Sequence, residues 1–259
     1  MVTALELRLI SERVPGRVGW DFSPMRVEED QPPWRYEDVV RKYLTAGGRI
    51  LDIGTGGGEL FSTFEQEIGR GAGIDISRPR IEAAVANRRS GGHCNLEFLL
   101  MDAAWLAVKD STFDAALAHH ADFTCDEVLR VLRPGGVFVS QQMGERNTEN
   151  IFQAFRWGSF GQFWRKQYRT RGGVFQTSAD KASIFRSLGA EIIALSEYDV
   201  DQYLADLDSL VFFLKASPLP EAFEPEKHWR PVAELIDRYS TPRGIRTNAH
   251  RELLVARKP

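Results

Sequence analysis

The sequence predicts a doubly wound α/β fold, a mainly parallel seven-stranded sheet with helices on both faces. Three observations lead there. From residue 49 onward, short apolar runs alternate with helical patterns. Closely spaced glycines follow the first of those runs, and an acid ends each of the first three. Apolar runs without polar alternation suit strands buried on both faces, and such sheets bind ligands beyond the carboxyl ends of their strands.

Residues 1–34 read as irregular, with Pro15-Gly16, Pro24 and Pro32-Pro33 as breakers around the acidic Glu28-Glu29-Asp30. Arg35–Ala46 reads as a helix stopped by Gly47-Gly48. Arg49–Ile53 is the first predicted strand, Glu59–Ile68 the helix after the glycines, and Gly71–Ile76 the second strand. Ser77 is placed to cap a helix through Arg89, with Pro79 in its first turn. Asn95–Met101 and Phe113–Ala118 are the third and fourth strands. Thr124-x-x-Glu127 has capping-box form and opens a helix to Leu132. Pro134-Gly135-Gly136 turns the chain into a fifth strand, Val137–Gln141. Thr177-x-x-Asp180 is a second capping box, for a helix closed by Gly189. Ala190–Leu195 and Arg251–Ala256 complete the sheet. Residues 143–177 and 217–250 do not fit the alternation. They read as elaborations over the ligand edge of one domain, 35–259, with 1–34 as an N-terminal segment over the active site.

Composition bounds the function. A chain of 259 residues with 43% hydrophobic and 27% charged residues is an ordinary globular one. Its net charge of -3 gives no whole-molecule attraction to nucleic acid or anionic membrane. Cys94 and Cys125 are the only cysteines and form no CxxC pair, which argues against a disulfide framework or a cysteine zinc site. No metal site is expected, and the cytoplasm is the expected compartment. The start carries Glu6 and Arg8 and does not read as a signal peptide. No apolar stretch reaches the roughly 18–20 residues of a membrane span.

The chemistry centres on Asp52-Ile53-Gly54-Thr55-Gly56-Gly57-Gly58. Closely spaced glycines let the backbone turn sharply and approach a ligand, and the next helix presents free N–H groups. A dinucleotide fingerprint starting at Gly54 needs glycine at 59, where Glu59 stands, and a Walker loop needs a Gly-Lys-Ser/Thr ending that is absent. The acid before the glycines suits a ligand with an ammonium group better than one with a pyrophosphate. Asp75 stands where a carboxylate accepts both ribose hydroxyls, and Asp102 where one accepts from an exocyclic amino group such as adenine's.

With these residues in place, the sequence resembles the class I S-adenosylmethionine-dependent methyltransferase family. The resemblance rests on ILDIGTGGGEL, GAGIDIS, FLLMDAAWL, FDAALAHH and VLRPGGVFVS, across roughly residues 49–141, and on the closing HRELLVARKP, similar to the family's final antiparallel strand. It implies S-adenosylmethionine as cofactor and S-adenosylhomocysteine as product. It implies that Asp52, Gly54, Gly56 and Gly58, with Thr55, hold the methionine part. Asp75 would hold the ribose and Asp102 with the Ala103 backbone the adenine, with Ile76 also in the cofactor site.

His119 and His120 follow the fourth strand near the expected sulfonium. They are the candidate catalytic residues, His119 also counting toward the cofactor site, because a histidine accepts a proton at neutral pH. Either of the two equally suits a purely structural role. The family's amino-methylating enzymes for nucleic-acid bases and glutamine carry an Asp/Asn-Pro-Pro-aromatic motif where this chain has His119-His120-Ala121-Asp122, which argues against those subgroups. Gln141 and Gln142 offer amides to an acceptor molecule or to loop backbone.

The stretch 152–175 mixes aromatics with Arg156, Arg165, Lys166, Arg169 and Arg171. Three readings stand for it: the buried face of a helix, a lid over a small molecule, or a stacking surface for RNA. Trp157 and Trp164 are its candidate substrate contacts. Trp34, Tyr36 and Gln141 are the others, with Trp20 and Phe22 in the same N-terminal segment as the first two. The expectation is transfer to an O or N atom of a small molecule, with aromatic and heterocyclic acceptors among the candidates. The alternatives are an RNA methyltransferase and a non-catalytic adenosylmethionine-binding protein. Nucleic acid is not the favoured partner, and oligomeric state is left open.

Overall fold

In the computed structural model, residues 2–17, 22–92, 94–170 and 174–259 are described. Trp20 and Arg171 lie outside them. The first elements are α1 (Ala4–Arg13), β1 (Val27–Glu29), α2 (Tyr36–Arg41), β2 (Arg49–Ile53), α3 (Glu59–Ser62) and β3 (Arg70–Asp75). Then come α4 (Arg78–Gly91), β4 (Leu96–Leu100), β5 (Phe113–His119), α5 (Cys125–Val131), β6 (Leu132–Met143), α6 (Glu149–Ala154) and α7 (Phe160–Thr170). The last are α8 (Ser178–Ser187), β7 (Glu191–Leu204), α9 (Leu207–Ala216), α10 (Pro225–Tyr239), β8 (Ser240–Thr241) and β9 (Gly244–Arg257).

The chain forms two compact units. The first comprises Trp34–Gln142, Gln176–Glu197 and Glu252–Pro259; the second takes the described residues up to Pro33, Met143–Phe175 and Tyr198–Arg251.

In the first unit the strand order is β7-β9-β6-β5-β2-β3-β4, which accounts for the seven expected strands. Two short strands exceed the expectation: β1 pairs with β7 antiparallel in the second unit, and β8 with β9. β2 lies parallel to both β3 and β5, β4 is parallel to β3, and β6 to β5. The chain moves outward from β2 on one side through β3 and β4, and on the other through β5 and β6. The point where the order reverses, between β2 and β5, is where such a sheet opens a crevice for ligand. β9 runs against β6: Lys258 N donates to Gly136 O at 2.9 Å and Gly144 N to His250 O at 2.9 Å, so residue numbers rise in opposite directions.

Burial explains these strands. Ala115, Ala116, Leu117 and Ala118 of β5 are all buried, as a central strand covered on both faces requires. Their alternate side chains feed two cores. One packs Leu51, Ile53, Ala116, Phe138 and Phe185; the other packs Ile50, Phe61, Leu117, Val139 and Val255.

Several local expectations change. α3 ends at Ser62 and a 3-10 turn, Glu65–Glu67, takes up the rest of the predicted helix. Thr177 and Asp180 form their capping box, but Thr124 makes no side-chain cap. Glu127, its expected partner, instead accepts from Leu106 N at 2.7 Å and from Arg130 Nε at 2.7 Å. A charge-assisted arginine pair outcompetes the reach back to a backbone N–H.

The second unit has its own core, with Leu7, Leu210, Phe212, Val232 and Leu235 buried among α1, α9 and α10. Residues 4–13 are therefore helical rather than irregular: Thr3 accepts from Glu6 N at 3.2 Å, and the Glu6 carboxylate accepts from Thr3 N at 2.8 Å. The proline-rich stretch also forms a helix, α10, with Pro225 in its first turn and Pro231 inside it. In the aromatic stretch Phe152, Phe160 and Phe163 are buried together, as the buried-face reading expects. His250 lies within β9 rather than before it, its Nδ1 accepting from Arg146 N at 3.1 Å.

Candidate active site

The carboxyl end of β2 turns sharply. Gly54, Gly56 and Gly58 have φ of +71°, +59° and +76°, a region that side chains with a Cβ rarely enter. Gly54 and Gly58 are glycine for space as well. A Cβ on Gly54 would lie 2.2 Å from the Ala121 Cβ, and one on Gly58 2.6 Å from the Phe98 ring. At Gly56 a Cβ would meet nothing within 4 Å, so its backbone faces open space. Thr55 N is held by Ile74 O at 2.9 Å, tying the loop to β3.

Asp52, on β2 just before the glycines, is 9% exposed. Burial lifts its carboxyl from the ordinary 3.8 to about 7; Thr55 beside it pulls the other way and the Asp75 charge adds to the rise. Asp75 ends β3 and is 4% exposed. It accepts from Gly56 N at 3.2 Å and Ser77 N at 2.8 Å, with Arg80 at 3.4 Å. Ile76 follows, its apolar side chain 70% exposed. Asp102 is exposed and accepts from Ala104 N at 2.8 Å, so one oxygen organises its own turn. Ala103 is half-buried against the core. Trp105, in the same turn and three residues past Asp102, is 80% exposed, an aromatic that the sequence also shows beside the third acid.

Ile53 pairs with Ala118, so the glycine loop leaves β2 beside the point where His119 ends β5. His119 and His120 stack at 4.1 Å, and Tyr36 lies on the other ring contact of His119 at 4.5 Å and 13°. Tyr36 is buried, and burial together with the Asp52 charge raises its hydroxyl well above the ordinary value. His120 has φ +53° and donates its backbone N–H to Gln141 O at 2.8 Å. The Gln141 side chain accepts from Trp34 Nε1 at 3.0 Å and meets His119 Nε2 at 3.3 Å. Gln142 donates to Ala121 O at 2.9 Å and to Ser140 Oγ at 2.9 Å, satisfying loop backbone.

The first unit thus gathers Asp52, Gly54, Thr55, Gly56, Gly58, Asp75, Ile76, Asp102, Ala103, His119, His120 and Gln141 on neighbouring strands and their ends, with Trp34 and Tyr36 brought to them from the start of α2. Trp157 and Trp164 belong to the second unit. Trp157 donates to Glu221 Oε1 at 3.1 Å, and Trp164 packs on Phe160, Phe163 and Tyr168. Lys181 has no signal in the sequence. It is 6% exposed, donates to Phe123 O at 2.9 Å, and sits 3.6 Å from the Phe123 ring centroid, anchoring the segment that follows His120.

The loop fits a ligand with an ammonium group on one side and a ribose on the other. Asp52 is a buried acid at the first position, Asp75 a carboxylate at the second, and Gly56 leaves the space between them clear of side chain.

Residues 44–171 match the family model for a methyltransferase domain. The domain over these residues is that of the class I S-adenosylmethionine-dependent methyltransferases. It is 26% identical over 140 residues to a ubiquinone/menaquinone biosynthesis C-methyltransferase of Pseudomonas putida, covering 49% of this chain and 54% of that protein. It is 32% identical over 113 residues to a demethylmenaquinone methyltransferase of Clavibacter sepedonicus, covering 41% and 45%. The chain thus spans about half the length of these curated relatives. The YcgJ protein of Bacillus subtilis shares the fold, with a TM-score of 0.59 at 19% identity over 86% of this chain and 97% of that one. The family's cofactor is S-adenosylmethionine. No helix among the described residues is long and apolar enough to cross a membrane.

Proposed function

We propose that this domain transfers the methyl group of S-adenosylmethionine to a small molecule bearing a planar aromatic or heterocyclic ring, releasing S-adenosylhomocysteine. One juxtaposition carries the reading: at the β2–β5 reversal of the sheet, the glycine loop and Asp52 adjoin the ring stack of Tyr36, His119 and His120. The first part suits the cofactor, the second a flat acceptor. Bound cofactor supplies an electrophilic methyl on a sulfonium. The chain's share is then binding and alignment, which is most of what an in-line displacement needs. Asp52 would take the ammonium, Asp75 the ribose hydroxyls, and Ile76 with Asp102 and Ala103 the adenine.

The acceptor atom expected from sequence was O or N. The relatives' names extend this to carbon, because ubiquinone and menaquinone biosynthesis C-methyltransferases share the domain. RNA is the less favoured acceptor: Arg165 of α7 is paired with Glu145 and lies over Phe175, and the net charge of -3 gives no general attraction to phosphate. The free thiols of Cys94 and Cys125 accord with a cytoplasmic setting.

The test is calorimetry with S-adenosylhomocysteine, followed by methyl transfer from labelled cofactor to a panel of quinols, phenols and N-heterocycles. Asp75→Ala is expected to weaken cofactor binding at least tenfold, and unchanged affinity would overturn the ribose assignment.

A further inference from the structure

The side chains of Trp34, Gln141 and His119 form a chain of hydrogen bonds whose direction is fixed at one end. An indole N–H only donates. Trp34 Nε1 lies 3.0 Å from one terminal atom of the Gln141 amide, so that atom is the oxygen, Oε1. The amide nitrogen is then the atom 3.3 Å from His119 Nε2. An amide –NH2 carries no lone pair to accept with, so it donates, and Nε2 receives. A neutral imidazole has one protonated nitrogen, which leaves the proton on Nδ1.

The ring cannot easily turn over, which would set Cε1 where Nε2 faces the amide, because it is stacked between Tyr36 at 4.5 Å and His120 at 4.1 Å. Nor can the amide turn over without setting two donors, the indole N–H and the –NH2, against each other inside a site where Gln141 is only 6% exposed.

We infer that Trp34 and Gln141 are positioning residues that lock His119 in the Nδ1–H tautomer, so that His119 does not serve this site as its general base. This rests on the proposed function only for the word base; the tautomer itself is a property of the unliganded protein. It narrows the chemistry in one direction. With Nε2 already filled by Gln141, an acceptor whose nucleophile must first lose a proton has to lose it to another group.

Nitrogen-15 NMR tests this on the full chain without cofactor or acceptor. Two-bond 1H–15N spectra at pH 8 distinguish a protonated from a lone-pair nitrogen in each neutral imidazole, and His119→Gln assigns the signals. The expected result is a protonated Nδ1 and a lone-pair Nε2 for His119, the reverse of the form a histidine prefers in water. Gln141→Glu replaces the donor by a pure acceptor and is expected to move the proton to Nε2. Trp34→Phe removes the anchor and is expected to give a tautomer mixture. It also serves as the second variant if the glutamate form does not fold. A protonated Nε2 in the wild type, or a wild-type signal that neither variant moves, overturns the inference. Loss of cofactor binding or of methyl transfer elsewhere in the site would instead count against the proposed function and leave the tautomer pattern intact.

Discussion

Replacing Asp52 by asparagine separates two effects that the wild-type side chain combines. Buried at the end of β2, its carboxyl titrates at about 7 rather than 3.8. A group that holds its proton more tightly folded than unfolded favours the fold at low pH, and that advantage is lost as pH rises toward the folded value. At 1.36 kcal/mol per pH unit, the gap between 3.8 and about 7 corresponds to about 4 kcal/mol, lost progressively between about pH 4 and pH 8. Asparagine has nearly the same shape and cannot ionise. Asp52→Asn is therefore expected to gain on the wild type as pH rises, by an amount approaching about 4 kcal/mol above pH 7, or roughly 8–15 °C in melting temperature. Any fixed cost of the amide is the same at every pH and cancels from the slope. Cofactor affinity should move the other way, falling about 10–100-fold at pH 8 as the ammonium loses its charged partner. Melting curves from pH 4.5 to 8.5 and calorimetry at pH 8 measure both. A melting-temperature difference that stays constant across that range would refute the burial argument, and unchanged affinity would refute the ammonium assignment.

Other sites give sharper or cheaper contrasts. Gly58→Ala combines a left-handed backbone with a Cβ 2.6 Å from Phe98, and should cost about 2–4 kcal/mol in chemical denaturation. Gly56→Ala meets no atom within 4 Å, so it should cost only about 1 kcal/mol while weakening cofactor binding, because its methyl enters the space the loop keeps open. Equal behaviour of the two alanines in both assays would show that the loop is not shaped around a ligand. Hydrogen bonds from Arg130 and Leu106 hold the Glu127 carboxyl below its ordinary value, so its contribution is present above the ordinary carboxylate range and lost as pH falls below it. Glu127→Gln should accordingly lower the melting temperature at pH 7 and much less at pH 3.5. Lys181→Met removes the donor to Phe123 O and the cation over the Phe123 ring, and should destabilise the fold by about 1–3 kcal/mol, read in urea titrations.

What the sequence disclosed follows from how local each signal is. β2 and the Thr177 capping box depend on neighbours within a few residues, and both appear with the expected boundaries. The Thr124 box failed because Glu127 met Arg130 and Leu106 N, 21 residues away, a competitor that a four-residue pattern does not contain. α1 was hidden by the breakers downstream of it, although Thr3 and Glu6 were its own capping box. In α10 the prolines masked the helix: Pro225 sits where the first turn has no use for an N–H, and Pro231 is tolerated within fifteen residues that bury Val232 and Leu235. At the site, the acids and glycines could be read because they follow strands directly. The Trp34–Gln141–His119 chain could not, since its members are separated by 107 and 22 residues and meet only once β5 and β6 are paired.

Several costs borne by the first unit lie at the carboxyl edge of its sheet, although Ser111, before β5 at the other edge, also takes a positive φ. Within the strands the large side chains are ordinary: Ile50, Leu51, Ile74 and Leu117 are buried among other apolar groups. Just past the strand ends the rules are broken repeatedly. Asp52 is an acid held where its charge is disfavoured, three glycines within five residues take positive φ, and His120 takes φ +53° without being glycine. The Asp52 and His120 departures raise the energy of the unliganded fold, and each persists because strong neighbours dictate it. For His120 that neighbour is Gln141 O, which accepts its backbone N–H at 2.8 Å from the paired end of β6. Strain that the rest of a structure overdetermines is kept where it serves binding. The same residue therefore works twice: the Gln141 backbone sets the turn that swings His120 away from the strand, and its side chain sets the proton on His119. A substitution that keeps only the backbone role, such as Gln141→Leu, should leave the turn intact while the histidine pair loses its orientation.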